Sequence, residues 1–216
     1  MVTRPACLKR CWLIVVVGFV TLLGMTLAPA FSGVSVETAK TRGIGVVVKP
    51  EKGQTKQIQL YDYTAALIIG IDRYANLAPG EQLTYAVKDA RGMERVLRDH
   101  YQFDEIVTLY DEEATRDKIM AALYGLRSLS PDAGLLVYFA GHGITMPGMV
   151  GGKDLGYLIP YNGSLDSAEM YRNISMQQIR ADVCPSISAK HIFFVFDACF
   201  AGLMPVSYTH LRAHET

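Results

Sequence analysis

Two short segments carry residue types that suit nucleophilic catalysis. His142 lies between two glycines, in Gly141-His142-Gly143, and Cys199 lies 57 residues further along the chain. Flanking glycines let the backbone approach a ligand closely at an entropic cost, which is an unusual setting for a histidine that only packs. A nearby imidazole can take the proton of a thiol and leave a thiolate, the form that attacks carbonyl carbons. The pair therefore predicts covalent acyl-transfer chemistry.

Both segments follow apolar runs of the kind that form buried strands. Apolar runs without alternation predict strands over residues 65–71, 106–110, 135–140 and 192–196. Amphipathic stripes predict helices over 85–99, capped by Thr84, and over 116–126, capped by Thr115, with a short helix over 175–181. This alternation predicts an α/β fold with a mostly parallel sheet covered by helices on both faces. Functional residues of such sheets follow the carboxyl ends of the strands, as His142 and Cys199 do.

The two segments resemble the active-site motifs of the caspase-like peptidases, in their metacaspase and bacterial branch. The resemblance rests on Tyr138-Phe139-Ala140-Gly141-His142-Gly143 and on Asp197-Ala198-Cys199-Phe200-Ala201-Gly202, and it extends over about residues 63–203. It implies the caspase–haemoglobinase fold and a thiol protease, in which Cys199 attacks a peptide carbonyl and His142 relays the proton. It also implies an oxyanion hole formed by the backbone N–H groups of Gly143 and Cys199.

Two acids match positions that line the primary pocket of metacaspases. Asp89 and Asp197 correspond to the acids of those members that cut after Arg or Lys, and a carboxylate pair suits a cationic side chain. Caspases that cut after Asp have a Gln at the position of Asp197 and an arginine shortly before the first helix, whereas residues 82–88 contain none. The resemblance therefore implies cleavage after Arg or Lys. Alternatively, Asp89 is a first-turn helix acid and Asp197 only orients the nucleophile loop.

Other functions on the same fold stay open. One is a catalytically silent module that binds a partner, and another is a different acyl transfer by the same Cys–His pair. A Cys184–Cys199 disulfide would remove the nucleophile. No metal or other cofactor is expected; calcium, used by some metacaspases, would need acids such as Asp154, Asp166 and Glu169, which lack the dense spacing of an oxygen cage.

The charge balance bears on the partner. Lys plus Arg and Asp plus Glu both number 21, so the chain lacks the basic surplus of a nucleic-acid binder. A polypeptide substrate is the expected partner, with membrane contact only through an uncleaved N-terminal segment. Residues 1–30 combine basic residues, an uncharged run and Ala28-Pro29-Ala30, which is typical of a signal peptide or a signal anchor. We therefore expect the protein to be exported to the periplasm or the exterior, or to be anchored in the membrane by this segment.

The remaining segment boundaries along the chain are predicted from composition. We predict a linker over residues 31–60 with an edge strand at 44–48, a catalytic domain over 61–204, and a non-native tail over 205–216. The tail matches no continuation of the caspase-like pattern, which normally extends further past the nucleophile. The chain is therefore expected to be a C-terminally truncated product, in which the activity of the fragment does not follow from its motifs.

The fate of residues 1–30, here called the leader, can be tested. We expect residues 12–27 to form a helix that does not pack on the α/β domain, and we expect cleavage after Ala30. N-terminal sequencing of the exported protein should then begin near Phe31. Recovery of an intact N-terminus in the membrane fraction would favour the anchor.

Overall fold

The computed structural model describes residues 10–15, 34–35, 45–48, 56–150 and 152–198 of the 216-residue chain. Three predictions concern residues outside these ranges: the candidate nucleophile Cys199, the tail over 205–216, and the leader except for residues 10–15. The whole predicted alternation of strands and helices, up to the end of the last strand, lies inside them.

The described residues form three sheets and several helices. The strands are β1 (Arg10–Val15), β2 (Val34–Ser35), β3 (Gly45–Val48), β4 (Lys56–Gln59), β5 (Thr64–Gly70), β6 (Glu105–Tyr110), β7 (Gly134–Ala140), β8 (Gly143–Val150), β9 (Lys153–Leu158), β10 (Ile174–Ser175) and β11 (His191–Asp197). The helices are α1 (Ala86–Asp99), α2 (Arg116–Gly125), α3 (Met176–Gln178) and α4 (Cys184–Ser186), the last two joined by a π-helical stretch over Ile179–Val183. Short 3-10 helices occupy Pro79–Glu81, Asp111–Glu113, Leu126–Ser128 and Ser167–Arg172, the last of which is kinked at Glu169.

The main sheet has five parallel strands in the order β1-β11-β7-β5-β6. The predicted α/β fold with a parallel sheet is therefore confirmed. The chain runs from β5 to β6 on one side and then to β7 on the other, so the carboxyl ends of β5 and β7 flank a topological switch point. Ligands of open α/β sheets bind in the crevice at such a point.

Two apolar layers cover the faces of this sheet. Ala66 and Ile68 of β5 pack with Ala90 of α1 on one face, whereas Leu67 and Ile69 belong to the larger cluster on the other face, which includes residues of α2. All seven residues of β5 are buried because both faces are covered. Double coverage explains why the sequence of this strand shows a continuous apolar run rather than alternation.

Of the two predicted helix N-caps, one is confirmed and the other is wrong. Thr115 accepts the N–H of Lys118 at 3.4 Å, as predicted for α2. The prediction of Thr84 as the cap of α1 is wrong: the helix begins at Ala86, whose N–H donates to the carboxylate of Asp72 at 2.8 Å. The acceptor comes from the strand-end loop, fourteen residues earlier, so a local capping pattern does not reveal it.

The N-terminal residues also differ from the prediction. Arg10–Val15 forms β1, which pairs in parallel with β11, so the predicted helix is wrong for residues 12–15. An apolar run suits a helix and a buried strand equally well, and pairing with the otherwise open edge of β11 decides between them here. None of the helices in the described ranges combines the length and apolarity needed to cross a bilayer. The strand predicted at 44–48 is confirmed as β3, but its predicted edge position is wrong, because β3 is the central strand between β2 and β4 in an antiparallel sheet.

Helix α1 lies so close to β5 that only a glycine fits beneath it. A Cβ on Gly70 would lie 2.6 Å from the Cβ of Ala90 and 3.0 Å from the carbonyl oxygen of Ala86. Gly70→Ala should therefore lower the free energy of unfolding by about 1–3 kcal/mol, because overpacking displaces the helix. Urea unfolding followed by circular dichroism measures this change.

A second glycine serves as the matched control. Gly92 lies within α1, and a Cβ there meets nothing within 4 Å. Gly92→Ala should raise the free energy of unfolding by about 0.5–1 kcal/mol through helix propensity. If both variants were equally stable, the packing argument for Gly70 would be wrong.

Candidate active site

The main chain of His142 is held from two sides just beyond the end of β7. Its N–H donates to the hydroxyl of Tyr74 at 2.7 Å, and its carbonyl oxygen accepts the N–H of Ile159 at 3.0 Å. Tyr74 is buried, and its own hydroxyl donates to the carbonyl oxygen of Ile71 at 3.2 Å. Burial raises the pKa of Tyr74, so its hydroxyl keeps this hydrogen. The hydroxyl therefore links the carboxyl ends of β5 and β7.

One ring nitrogen of His142 has a defined main-chain partner. Nε2 lies 2.7 Å from the carbonyl oxygen of Glu81. A carbonyl only accepts hydrogen bonds, so Nε2 carries the hydrogen and Nδ1 is the acceptor nitrogen of the neutral ring. The ring also packs against Tyr74, with centroids 5.0 Å apart and planes inclined by 41°. This arrangement fixes the orientation of the half-buried imidazole and leaves Nδ1 as its hydrogen-bond acceptor.

The glycine before His142 is needed because of Tyr74. A Cβ on Gly141 would lie 2.8 Å from the Tyr74 hydroxyl oxygen and 3.2 Å from the ring of Phe139. Gly143, the predicted oxyanion donor, is the first residue of β8 and lies opposite Leu158. Its predicted companion, the N–H of Cys199, lies outside the described residues.

The loop that carries Tyr74 and Glu81 is bonded near its start, at Asp72, to Asp111, which follows the end of β6. Asp111, whose φ of 44° lies in the left-handed region, accepts the N–H groups of Asp72 and Arg73 on one oxygen, each at 2.9 Å. Asp72 in turn caps α1 and accepts the N–H of Leu83 on its main-chain oxygen at 2.7 Å. These bonds tie the end of β5, the end of β6 and the start of α1 together.

The two predicted pocket acids act on one buried tyrosine. Asp197, at the end of β11, accepts the hydroxyl of Tyr138 at 3.4 Å. Burial raises the pKa of Tyr138, and the nearby carboxylates of Asp197 and Asp89 raise it further. Asp89 lies exposed in the first turn of α1, and Asp197 is half-buried. The structure therefore brings Asp89 and Asp197 near enough to Tyr138 for both carboxylates to affect its hydroxyl, although they come from separate elements.

Backbone pairing places Asp197 at the same end of the sheet as His142. Asp197 is the register partner of Ala140, and its carbonyl oxygen accepts the N–H of Gly141 at 3.1 Å. The last described pairing between β7 and β11 therefore lies one residue before His142.

Comparisons with known families and structures identify the family and the fold. A family model described as a caspase domain matches residues 64–214, which is more than half of the chain. The chain belongs to the caspase domain family. This family consists of cysteine peptidases, hydrolases whose substrates are polypeptides. None of the curated proteins compared matches the chain.

A solved structure shows the same fold. Protein GSU0716 from Geobacter sulfurreducens is similar to the chain with a TM-score of 0.51 and 18% sequence identity. The similarity covers 65% of this chain and 52% of that protein, so the chain spans about half the length of the structure it matches. At this identity the likeness concerns the fold alone.

The sequence did not predict a role for three features of this caspase domain: Tyr74, the carbonyl oxygen of Glu81 and Tyr138. Tyr74 follows the end of β5 by four residues, a placement that flags it only once the strand is known. Tyr138 lies within the quoted histidine motif, but its apolar neighbours suggest a core residue. A main-chain carbonyl leaves no trace in the pattern of side chains.

The acids considered for calcium have separate structural partners in this caspase domain. Asp154 accepts the N–H of Gly148 at 3.0 Å, Asp166 accepts the N–H of Ala168 at 2.9 Å, and Glu169 pairs with Arg172 at 3.3 Å. Among the described residues, His, Cys, Asp and Glu form no group of three or more that could hold a metal ion. The alternative disulfide of Cys184 concerns Cys199, which lies outside these residues.

The ionisation of Tyr138 tests whether Asp197 lies close to its hydroxyl. Asp197→Asn removes a carboxylate that raises the Tyr138 pKa, so the phenol should ionise at a lower pH than in the wild type. Ultraviolet titration of each protein against its Tyr138→Phe counterpart isolates this residue. Asp99→Asn, an exposed change at the end of α1, is the control and should leave the titration unchanged. An identical Tyr138 titration in Asp197→Asn would contradict the observed contact.

Stability at alkaline pH tests the same residue independently. The raised pKa means that the folded state holds the Tyr138 proton more tightly than the unfolded state does. The resulting stabilisation is complete below the unfolded value of about 10 and is lost as pH rises towards the folded value. Tyr138→Phe should therefore reduce the alkaline fall in the free energy of unfolding, measured by urea unfolding at a series of pH values. An unchanged alkaline slope would be inconsistent with this.

Proposed function

We propose that the chain carries the catalytic domain of a cysteine endopeptidase that uses His142 as base and Cys199 as nucleophile. The observation that carries the proposal is the anchoring of His142 Nε2 on the Glu81 carbonyl oxygen at 2.7 Å. It leaves Nδ1 as the proton acceptor at a sheet end that the caspase domain family uses for catalysis.

The register of the sheet supports the choice of Cys199. Asp197 pairs with Ala140 across β11 and β7, an offset of 57 residues, and the same offset separates Cys199 from His142 in the sequence. Two more residues in this register would set the thiol opposite the imidazole. The spacing of the two motifs therefore fits parallel neighbouring strands whose loops meet.

The reaction begins with transfer of the Cys199 thiol proton to His142 Nδ1. The thiolate sulfur forms a bond with the substrate carbonyl carbon, and the backbone N–H groups of Gly143 and Cys199 stabilise the oxyanion. One such donor typically contributes about 3–4 kcal/mol to lowering the barrier. Collapse breaks the C–N bond, and the leaving amine takes the proton from Nδ1. Water then hydrolyses the thioester and returns the thiol.

The charge of His142 changes in this cycle, and Glu81 stabilises that change. The protonated ring donates from Nε2 to the Glu81 carbonyl oxygen, whose partial negative charge favours the imidazolium. The hydrogen bond persists in both protonation states, so the ring need not turn between steps. No metal takes part in this scheme.

The pair Asp89 and Asp197 is proposed to recognise the residue before the cleaved bond. Two carboxylates near one tyrosine hydroxyl favour a cationic side chain, and a guanidinium can bond a carboxylate in bidentate fashion. The same charges repel an acidic side chain. Cleavage after Arg or Lys follows, in a protein exported or anchored through its N-terminal segment.

Peptide reporters test the function. The full-length protein should hydrolyse an arginyl reporter and ignore an aspartyl one, and Cys199→Ala or His142→Ala in it should lower kcat/KM by several orders of magnitude. Asp197→Asn should lower kcat/KM for the arginyl reporter by about 10- to 100-fold, because a hydrogen bond to a charged group is lost. Asp99→Asn serves as the control and should retain full activity.

The outcomes separate the alternatives. Preference for the aspartyl reporter would overturn the pocket assignment while leaving the dyad intact. A folded protein that neither cleaves nor reacts at Cys199 with a peptide electrophile would be a silent binding module. Reaction at Cys199 without hydrolysis, but with transfer to an added amine, would indicate a different acyl-transfer activity.

A further inference from the structure

The side-chain amide of Gln82 is bonded to the main chain of its own loop. Its Oε1 accepts the N–H of Tyr74 at 2.7 Å, and its Nε2 donates to the carbonyl oxygens of Tyr74 at 3.2 Å and Leu77 at 3.0 Å. The amide thus pairs with both polar main-chain groups of Tyr74, as an adjacent strand would. No strand within the described ranges pairs with this part of the loop, and the side chain takes that role.

Gln82 connects the two groups that hold His142. Tyr74 binds the main chain of His142 through its hydroxyl at 2.7 Å, and Glu81, adjacent to Gln82, binds the ring through its carbonyl oxygen at 2.7 Å. Both contacts therefore depend on one loop whose two ends the Gln82 amide joins.

The turn that presents the Glu81 carbonyl is closed by its own side chain. Oε2 of Glu81 accepts the N–H of Ala78 at 2.9 Å, and the Glu81 N–H donates to the Ala78 carbonyl oxygen at 2.9 Å. Residues 78–81 are exposed, so apolar packing contributes little to the position of this turn. Hydrogen bonds hold it instead: the Gln82 amide donates to the carbonyl oxygens of Leu77 at 3.0 Å and Ala78 at 3.4 Å, and the Leu83 N–H donates to that of Asp72 at 2.7 Å.

We propose that Gln82 is a positioning residue for His142: its amide holds the Glu81 carbonyl at the distance that keeps the hydrogen on Nε2 and leaves Nδ1 as the base. The catalytic meaning of this role rests on the proposed function, whereas the positioning itself concerns only described residues. Glutamine is the side chain that suits the site, because it supplies one acceptor and two donors at this length.

Gln82→Glu is the sharpest test. The variant keeps the shape and the acceptor for the Tyr74 N–H, but a carboxylate cannot donate to the carbonyl oxygens of Tyr74 and Leu77 and is repelled by them. The readout is the exchange rate with water of the His142 ring N–H, measured in the full chain labelled with ¹⁵N-histidine at a pH where the ring is neutral. His142→Gln identifies the signal among the five histidines.

We expect Gln82→Glu to accelerate exchange of the Nε2 hydrogen by about 5- to 10-fold, the effect of losing roughly one net hydrogen bond. Gln82→Met, which is uncharged and of similar length, should do the same and covers the case in which the glutamate variant does not fold. Gln177→Glu, an exposed change of the same chemistry on α3, should leave the rate unchanged. Exchange within twofold of wild type in the folded Gln82 variants would overturn the proposal.

A second measurement separates this role from the proposed function. Alkylation of Cys199 by iodoacetamide, followed by peptide mass spectrometry with Cys184 as internal reference, should slow in His142→Ala and in Gln82→Glu. If His142→Ala alkylates like wild type, the dyad fails, and the ring exchange still decides whether Gln82 positions His142. If His142→Ala slows alkylation, but neither Gln82 variant changes the alkylation rate or the exchange rate of the His142 ring N–H, the dyad stands and the positioning role fails.

Discussion

The parallel pairing of β5 with β7 is the constraint on which the candidate site depends. Gly70 lies opposite Ala140, and the N–H of Ile71 extends the pairing to the Ala140 carbonyl oxygen at 3.0 Å. Both strands therefore end at the same level, and the loops that follow them are forced together. Tyr74 reaches His142 only because of this, and the glycines at positions 70 and 141 provide the space that the close approach requires.

Two sets of groups lie around that pairing. A tyrosine hydroxyl and a main-chain carbonyl oxygen hold His142. The carboxylates of Asp89 and Asp197 act on Tyr138, which packs in the apolar layer that includes residues of α1. A substitution at Asp197 changes the field on Tyr138 while leaving the contacts of the His142 ring in place.

Local patterns predicted the elements well where burial is uniform. The apolar runs that became β5, β7 and β11 were recognisable because helices cover both faces of the sheet, and Thr115 was recognisable because its cap is local. Prediction failed where a partner lies far away in sequence. Asp72 replaces Thr84 as the cap of α1, and β11 converts residues 10–15 into a strand.

The sequence by itself determined the residue types and their order: His142 between glycines and acids at positions 89 and 197. Apolar runs also indicated that His142 and Asp197 lie at strand ends. Tertiary structure alone decided which ring nitrogen of His142 carries the hydrogen, because that depends on a main-chain carbonyl at Glu81. Every residue carries such a carbonyl, so no pattern of side chains marks the one that matters. The same holds for Tyr138 and Gln82, whose partners are set by loop closure and strand register rather than by their neighbours in the chain.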